Sequence, residues 1–333
     1  MRAGDFTKSP NIGILNIIKV GSIQTMRYLL RRAQIKSALT YLELYFHTSA
    51  NPHHSVTRVI VTKIRVIVEW SLRRILELGI RRKALASLKS LKWSGTGREA
   101  LVLANGPSLN RISLEEVAEA QKDSVDVFVV NFFPISDGTN VLIPNFLVLS
   151  DPATRPTSED GRSINLWKWI DLHREVKIIC PSSWFRTLRN LEFDLAQFIF
   201  FDDSSLMSWS KNISPVRARS YLSLTAYKAL AVAVYFNYSE IDIIGIDNNQ
   251  FKGLVVNERN RIIQGPNHFT KYSNDVDMTN RLPDGVADYF YDSSRAFSDL
   301  RKFSKAGIIW NLDPGSYVDA FPKKITSRFR VND

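Results

Sequence analysis

Cysteine is nearly absent. Cys180 is the single one in 333 residues, which excludes an intramolecular disulfide framework and fits a reducing compartment. Beside Pro181, at the end of an apolar run, it reads as a packed thiol, not an activated nucleophile. Long hydrophobic runs are missing too: Lys or Arg interrupts every apolar segment before ~18 residues accumulate, so no spanning helix is expected. Met1 to Pro10 carries no continuous apolar stretch ahead of a small-residue cleavage site, so no signal peptide is expected either. Acidic residues are scarce at the start of the chain. Residues 1–97 hold 17 Lys and Arg against 4 Asp and Glu, while the remainder holds 27 against 29. The whole net charge of +11 therefore comes from the N-terminal part. Few aromatics accompany that excess and no recognised nucleic-acid module is present, so nucleic acid is not an expected partner.

What is there begins with a basic, helical pattern. Between Arg58 and Arg82 a helical projection puts Ile60, Val61, Ile64, Ile67, Val68, Leu72, Ile75 and Leu78 on one face. Arg58, Lys63, Arg65, Glu69 and Arg73 fall on the opposite half, and Arg82 sits at the apolar edge. The β-branched content admits a strand over Val59 to Val68; length and the run SLRRILELGIRRKALASLKSL favour helix. Two roles compete for this part. It is a basic amphipathic surface for an anionic membrane, or a helical hairpin packed on the main domain with a solvated basic face. Trp93 to Gly97 (WSGTG) reads as a hinge, dividing a basic helical region at 1–97 from a second domain at 98–333.

The most informative segment of that second domain is ALVLANGPSLN, Ala100 to Asn110. Five apolar residues in a row read as a buried strand, and Asn105, Gly106, Pro107 and Ser108 make a tight turn ahead of a helix. This is the unit with which α/β proteins hold a nucleotide phosphate: Gly106 lets backbone approach the ligand, and N–H groups near Ser108 and Leu109 face an anion. Ser113, with Glu116 three residues on, marks a helix start through Gln121. Strand patterns follow at Val125 to Asn131, Phe146 to Asp151, Val176 to Cys180, Gln197 to Asp203, Ile241 to Asp247 and Ile308 to Pro314. Helical patterns cover about Ser223 to Phe236 and Tyr289 to Lys305. The alternation predicts an α/β, Rossmann-like, doubly wound and mostly parallel sheet. Ligands in such sheets sit beyond the carboxyl ends of the strands, which here carry Asn105, Asn131, Asp151, Asp247 and Asn311.

Asn248 to Asp284 shows little periodicity and reads as a functional lid. Within it, QGPNHFTKYSND holds His268, the only histidine after His173. An imidazole near its ordinary pKa takes a proton from a hydroxyl at neutral pH, which makes His268 a candidate base beside the alternative of a structural histidine.

Three stretches together, NGPSL at 105–109, LTAYKALAVAVYFNYSEIDIIGID at 224–247 and PNHFTKY at 266–272, carry a resemblance. Over roughly Arg98 to Pro322 the chain resembles the bacterial sialyltransferases of glycosyltransferase family 42. It also resembles proteins of surface-polysaccharide loci with a domain like archaeal 6-hydroxymethylpterin diphosphokinase. NGPSL is common to both groups, and DNNQF at 247–251 with NLDPGSYVDAFP at 311–322 looks intermediate between them.

The sialyltransferase resemblance implies that Asn105, Gly106, Pro107 and Ser108 form part of the nucleotide site, with Asn131 as a strand-end contact. Asp151 stands where that family has an asparagine. Ser223 and Thr225 approximate a Thr-Ser pair near the phosphate, with Ala226 in place of a glycine, and Arg217 or Arg219 replaces an upstream arginine. His268 matches the catalytic base, and Tyr272 a tyrosine that steadies the leaving phosphate. Asp247 completes the candidate set. The activity implied is direct displacement at an anomeric carbon: His268 takes the acceptor proton and CMP leaves, with no cofactor and no metal.

Diphosphate transfer from ATP would instead need Mg²⁺ on carboxylates, with Asp151, Asp202, Asp203 and Asp247 as candidates. A non-catalytic scaffold in polysaccharide assembly is the third class. The implied partners are a nucleotide-sugar donor and a glycan acceptor, with a homo-oligomer and an anionic membrane surface through 1–97 left open. The expected location is the cytoplasm, including the inner face of the plasma membrane.

Overall fold

The computed structural model describes residues 55–76, 78–203, 213–216, 224–265, 275–282, 284–324, 328–329 and 331. Seven short apolar runs become the strands of one sheet: β1 (Glu99–Leu103), β2 (Val125–Val130), β3 (Phe146–Val148), β4 (Lys177–Pro181), β5 (Phe198–Phe201), β6 (Glu240–Ile244) and β10 (Ile309–Asn311). Their order is β10-β6-β1-β2-β3-β4-β5, and every pairing is parallel. Apolar residues predominate on both faces, with Asp126 in β2 and Asp242 in β6 as buried exceptions, which suits strands covered by helices on both sides. The helices are α1 (Val56–Leu76), α2 (Leu78–Ser90), α3 (Leu114–Lys122), α4 (Gly161–Leu172), α5 (Phe185–Asn190), α6 (Thr225–Phe236) and α7 (Val286–Arg301). One core packs α6 with Leu88 and Leu300 against Val102, Phe128 and Ile243; the other packs Val117, Leu166 and Ile170 against Leu101, Val127 and Ile178. The result is a Rossmann-like, doubly wound fold.

Local chemistry sets the element ends. The Ser113 hydroxyl accepts the Glu116 N–H at 3.2 Å and starts α3. Asn237 ends α6 at φ 65°, in the left-handed region that asparagine tolerates. Asp126 is the one acid buried within β2, and it is satisfied by the Tyr238 hydroxyl at 2.6 Å and Arg98 at 2.7 Å. Cys180 is buried, and burial pushes its thiol well above the ordinary value, as a packed thiol requires.

Two expectations need correction. Asn248 to Asp284 is not without periodic structure where it is described. It carries β7 (Leu254–Val256), β8 (Ile262–Gln264) and β9 (Val276–Asp277), a three-stranded antiparallel sheet in the order β7-β8-β9. The runs LVV and IIQ are too short for periodicity to announce. They are joined by a turn that Asn257 organises by accepting the Arg259 and Arg261 N–H groups at 3.1 and 3.0 Å. Trp93 to Gly97 is not a free hinge. The Gly95 N–H donates to the Phe236 carbonyl at 2.8 Å, and a Cβ at Gly95 would meet the Tyr238 ring at 2.7 Å.

Residues 56–76 and 78–90 are helical; the strand alternative over Val59 to Val68 does not form. α2 packs on the sheet through Ala84, Leu85 and Leu88, all at most 3% exposed, and its Arg81 pairs with Asp202 at the end of β5. Among the described residues no helix is long and apolar enough to cross a membrane.

Candidate functional site

The chain runs outward in one direction from β1 to β5, then returns to place β6 and β10 on the other side of β1. The order therefore reverses between β1 and β6, where a parallel sheet opens a crevice at its carboxyl edge. A cavity of ≈ 300 Å³ lies there. Its walls come from four strand ends and one helix start: Ala104 to Pro107, Val130 and Asn131, Ser150 to Pro152, Gly245 to Gln250, and Leu224 to Ala226 with Lys228. Of the candidate residues, Asn105, Gly106, Pro107, Asn131, Asp151, Thr225 and Asp247 are brought together in this one cavity.

A polar network ties three of the walls together. Asn131 takes φ 49° at the end of β2, which turns its amide toward α6. Its Nδ2 donates to Thr225 Oγ1 at 3.0 Å, and its Oδ1 accepts the Ser150 and Asp151 N–H groups at 3.3 and 3.4 Å. The Thr225 and Ser150 hydroxyls lie 2.7 Å apart, and Lys228 Nζ donates to Ser150 Oγ at 2.9 Å. Across the cavity Asn105 Nδ2 donates to the Val130 carbonyl at 3.3 Å, while its buried Oδ1 has no partner among the described residues. Such an orphaned acceptor at a cavity wall fits a ligand hydroxyl or amino group.

Lys228 escaped the sequence reading. It stands three residues after Thr225, hence on the same face of α6, in a helix otherwise made of apolar and aromatic side chains plus that threonine. A lone lysine at that spacing was the available signal. Burial lowers its ammonium to about 8, against the opposing pull of Asp203 and Asp151. No carboxylate stands within ion-pair distance of it among the described residues; its recorded partner is the Ser150 hydroxyl. A largely buried cation with donor capacity to spare is the main anion-attracting group of the cavity wall.

The turn after β1 does other work than expected. The Gly106 N–H donates to the Gly245 carbonyl at 2.8 Å, the Leu109 N–H to the Gly106 carbonyl at 3.0 Å, and the Ser108 N–H reaches Asp247 Oδ2 at 3.4 Å. Ser108 is 4% exposed, and its hydroxyl accepts the Gly245 N–H at 2.9 Å. These groups hold β1 to β6. Gly106 is required because a Cβ there would lie 1.8 Å from Asp247 Oδ2 and 2.4 Å from the Gly245 carbonyl. Its closeness serves the protein's own strands.

Asp247 is buried at the cavity floor. Burial raises its carboxyl to about 6, the nearby Asp313 carboxylate adds to the rise, and the bonds from Ser108 oppose it. Arg111 bonds the outer side of Asp313 at 2.9 Å. Because the folded value lies above the ordinary one, the cost of ionising Asp247 is absent in acid, appears as pH rises from about 4 to about 6, and is fully present above that. Asp247→Asn keeps an acceptor for Ser108 and removes the charge. It is expected to raise the thermal unfolding midpoint, and to do so more at about pH 8 than at about pH 5. Equal gains at both pH values would trace the effect to packing instead.

Asp151 caps the turn that follows it, accepting the Ala153 N–H at 2.9 Å, and is exposed at the rim. Asp202 is committed to Arg81, and Asp203 accepts from the Ser182 and Ser183 hydroxyls at 3.0 and 2.6 Å. Those two acids stand outside the cavity wall that Asp151 and Asp247 share. Among the described residues no three His, Cys, Asp or Glu side chains converge on a possible metal position. Ser223, Arg217, Arg219, His268 and Tyr272 lie outside the described residues.

No protein-family model matches this chain, and no curated protein matches it. Among solved structures it is similar to the MAf glycosyltransferase from Magnetospirillum magneticum AMB-1, at 12% identity and a TM-score of 0.40. That similarity takes in 76% of this chain, which spans 40% of the length of the other protein.

Proposed function

We propose that this chain is a glycosyltransferase that takes a nucleotide-activated sugar, a CMP-linked acidic sugar of the sialic acid type, and transfers it to a glycan hydroxyl in bacterial surface polysaccharide synthesis. The observation that carries the reading is the strand-end cavity, with its amide and hydroxyl network and a part-buried cation, Lys228, that has no ion-paired carboxylate among the described residues. Asn105 and Asn131 suit the edges of a base or ribose, and Lys228 with Ser150 and Thr225 suits a phosphate. The acceptor oxygen attacks the anomeric carbon, the bond from that carbon to the phosphate oxygen breaks, and CMP leaves with the electron pair. His268 accepts the acceptor proton, while Tyr272 and Arg219 steady the departing phosphate.

A monophosphate leaving group suits a wall with one cation. The commitment of Asp202 and Asp203 to other partners supports this chemistry over Mg²⁺-dependent diphosphate transfer, which would need them beside Asp151 and Asp247. The test is a thermal-shift series with CMP, CDP, ADP and ATP, each with and without Mg²⁺. CMP or CDP is expected to raise the unfolding midpoint without metal. Stabilisation by ATP alone, and only with Mg²⁺, would overturn glycosyl transfer in favour of a diphosphokinase.

A further inference from the structure

The first described helix carries an exposed apolar ridge that no other described element covers. Val56, Ile60, Ile64, Val68 and Leu72 recur every fourth residue along α1 and are 75, 40, 51, 48 and 52% exposed; Val61 beside them is 57% exposed. Residues four apart are neighbours on the helix surface, each turned about 40° from the last, so the row runs about 24 Å along the axis while winding through about 160°. On the helical wheel Lys63 borders the row on one side, and Arg65 and Arg58 border it on the other. Arg58 also lies 4.0 Å from Asp284, itself part-exposed.

We infer that α1 lies in the interface of an anionic lipid bilayer, with the Val56-to-Leu72 ridge among the acyl chains and the flanking cations at the headgroups. Three observations select this occupant. The apolar arc covers a little under half of the helix surface and is edged by long cationic side chains, whose stems can follow apolar surface while their charges reach phosphate level. Within α1 itself Arg58, Lys63, Arg65, Arg73 and Arg74 stand against Glu69 alone, while residues 98–333 are nearly balanced. A second copy of the chain is a poor cover, because pairing two such ridges sets Arg58, Lys63 and Arg65 against their own like charges. α1 is too polar to span, so the contact is peripheral.

The test is co-sedimentation of the full chain with vesicles of phosphatidylcholine, with and without phosphatidylserine, at low and high salt. The protein is expected to pellet with phosphatidylserine vesicles at low salt, to be released as salt rises, and to remain free of pure phosphatidylcholine. Ile64→Glu with Val68→Glu should cut the bound fraction roughly tenfold or more. Both positions are exposed, so the unfolding midpoint should stay at the wild-type value, which separates lost binding from lost folding. A wild-type chain that stays in the supernatant at low salt overturns the inference and leaves the ridge to a protein partner. So does a double variant that binds as well as wild type, or equal binding to both vesicle types.

Discussion

Lys228→Met is expected to weaken nucleotide binding by roughly 10- to 100-fold, the equivalent of one charge-assisted hydrogen bond to a phosphate, about 1.5–3 kcal/mol. Methionine keeps the length and volume of the side chain and the helical preference of α6, so the change is confined to charge. The same substitution removes a part-buried cation that has no ion-paired carboxylate among the described residues, so the unliganded protein should unfold at the same temperature or higher. Opposite signs in affinity and stability are the signature of a group kept for its ligand.

The pH dependence sharpens this prediction. The free protein's lysine titrates near 8, below its ordinary value, so its charge is fully present below that pH and is lost as pH rises through it. Above about pH 7, where the CMP phosphate is already doubly ionised, wild-type affinity should fall as pH passes about 8, while Lys228→Met should show no such decline. Isothermal titration across that range reads both. An affinity unchanged by the substitution would remove Lys228 from the phosphate site, and a lowered unfolding midpoint would make it a structural residue of α6.

The second large effect is expected at His268. If it is the general base, His268→Ala should lower the transfer rate by ~10²–10⁴-fold, the usual contribution of positioned proton transfer. Nucleotide affinity should stay near wild type, because the proposed nucleotide contacts are Asn105, Asn131, Thr225 and Lys228. Single-turnover transfer from a labelled donor, set beside a CMP titration, separates the two quantities. A variant that turns over at the wild-type rate would dismiss His268 from the mechanism. Joint loss of affinity and stability would assign it to the fold. Asp247, with its raised carboxyl at the cavity floor, is the alternative base in the first case, and Asp247→Asn then becomes the variant that stops transfer.

Much of this architecture is legible in the residues. All seven strands of the parallel sheet sit on apolar runs that stand out against their flanks. The helices α3, α6 and α7 follow from periodicity and caps, because these are local properties in which backbone preference and burial agree. Two helices, the twelve-residue α4 and the six-residue α5, and three strands escaped notice, the strands because they are short. β7, β8 and β9 are three, three and two residues long, and no window of that length shows a period. The site divides in the same way. Polar residues at strand ends can be read off one by one, and Asn105, Asn131, Asp151 and Asp247 do share one cavity. Ser108 belongs to the same motif, yet its hydroxyl points inward to Gly245, 137 positions away, a contact no local pattern contains.

By itself the chain's sequence determined the class of fold, the places where strands end in polar groups, and the confinement of positive charge before Gly97. Each of these depends on neighbours within about 10–20 positions, the range over which periodicity, turn chemistry and charge act. Only the tertiary structure decided that β6 returns to the far side of β1 and opens the crevice there. It alone brought Thr225 to Asn131 across 94 positions and set Lys228 beside them against the Ser150 hydroxyl. It also decided that the apolar ridge of α1 faces outward while Leu88 of α2 is buried. Strand order and helix orientation are chosen by the surfaces that pack together at long range, and the apolar runs that supply those surfaces are compatible with more than one arrangement.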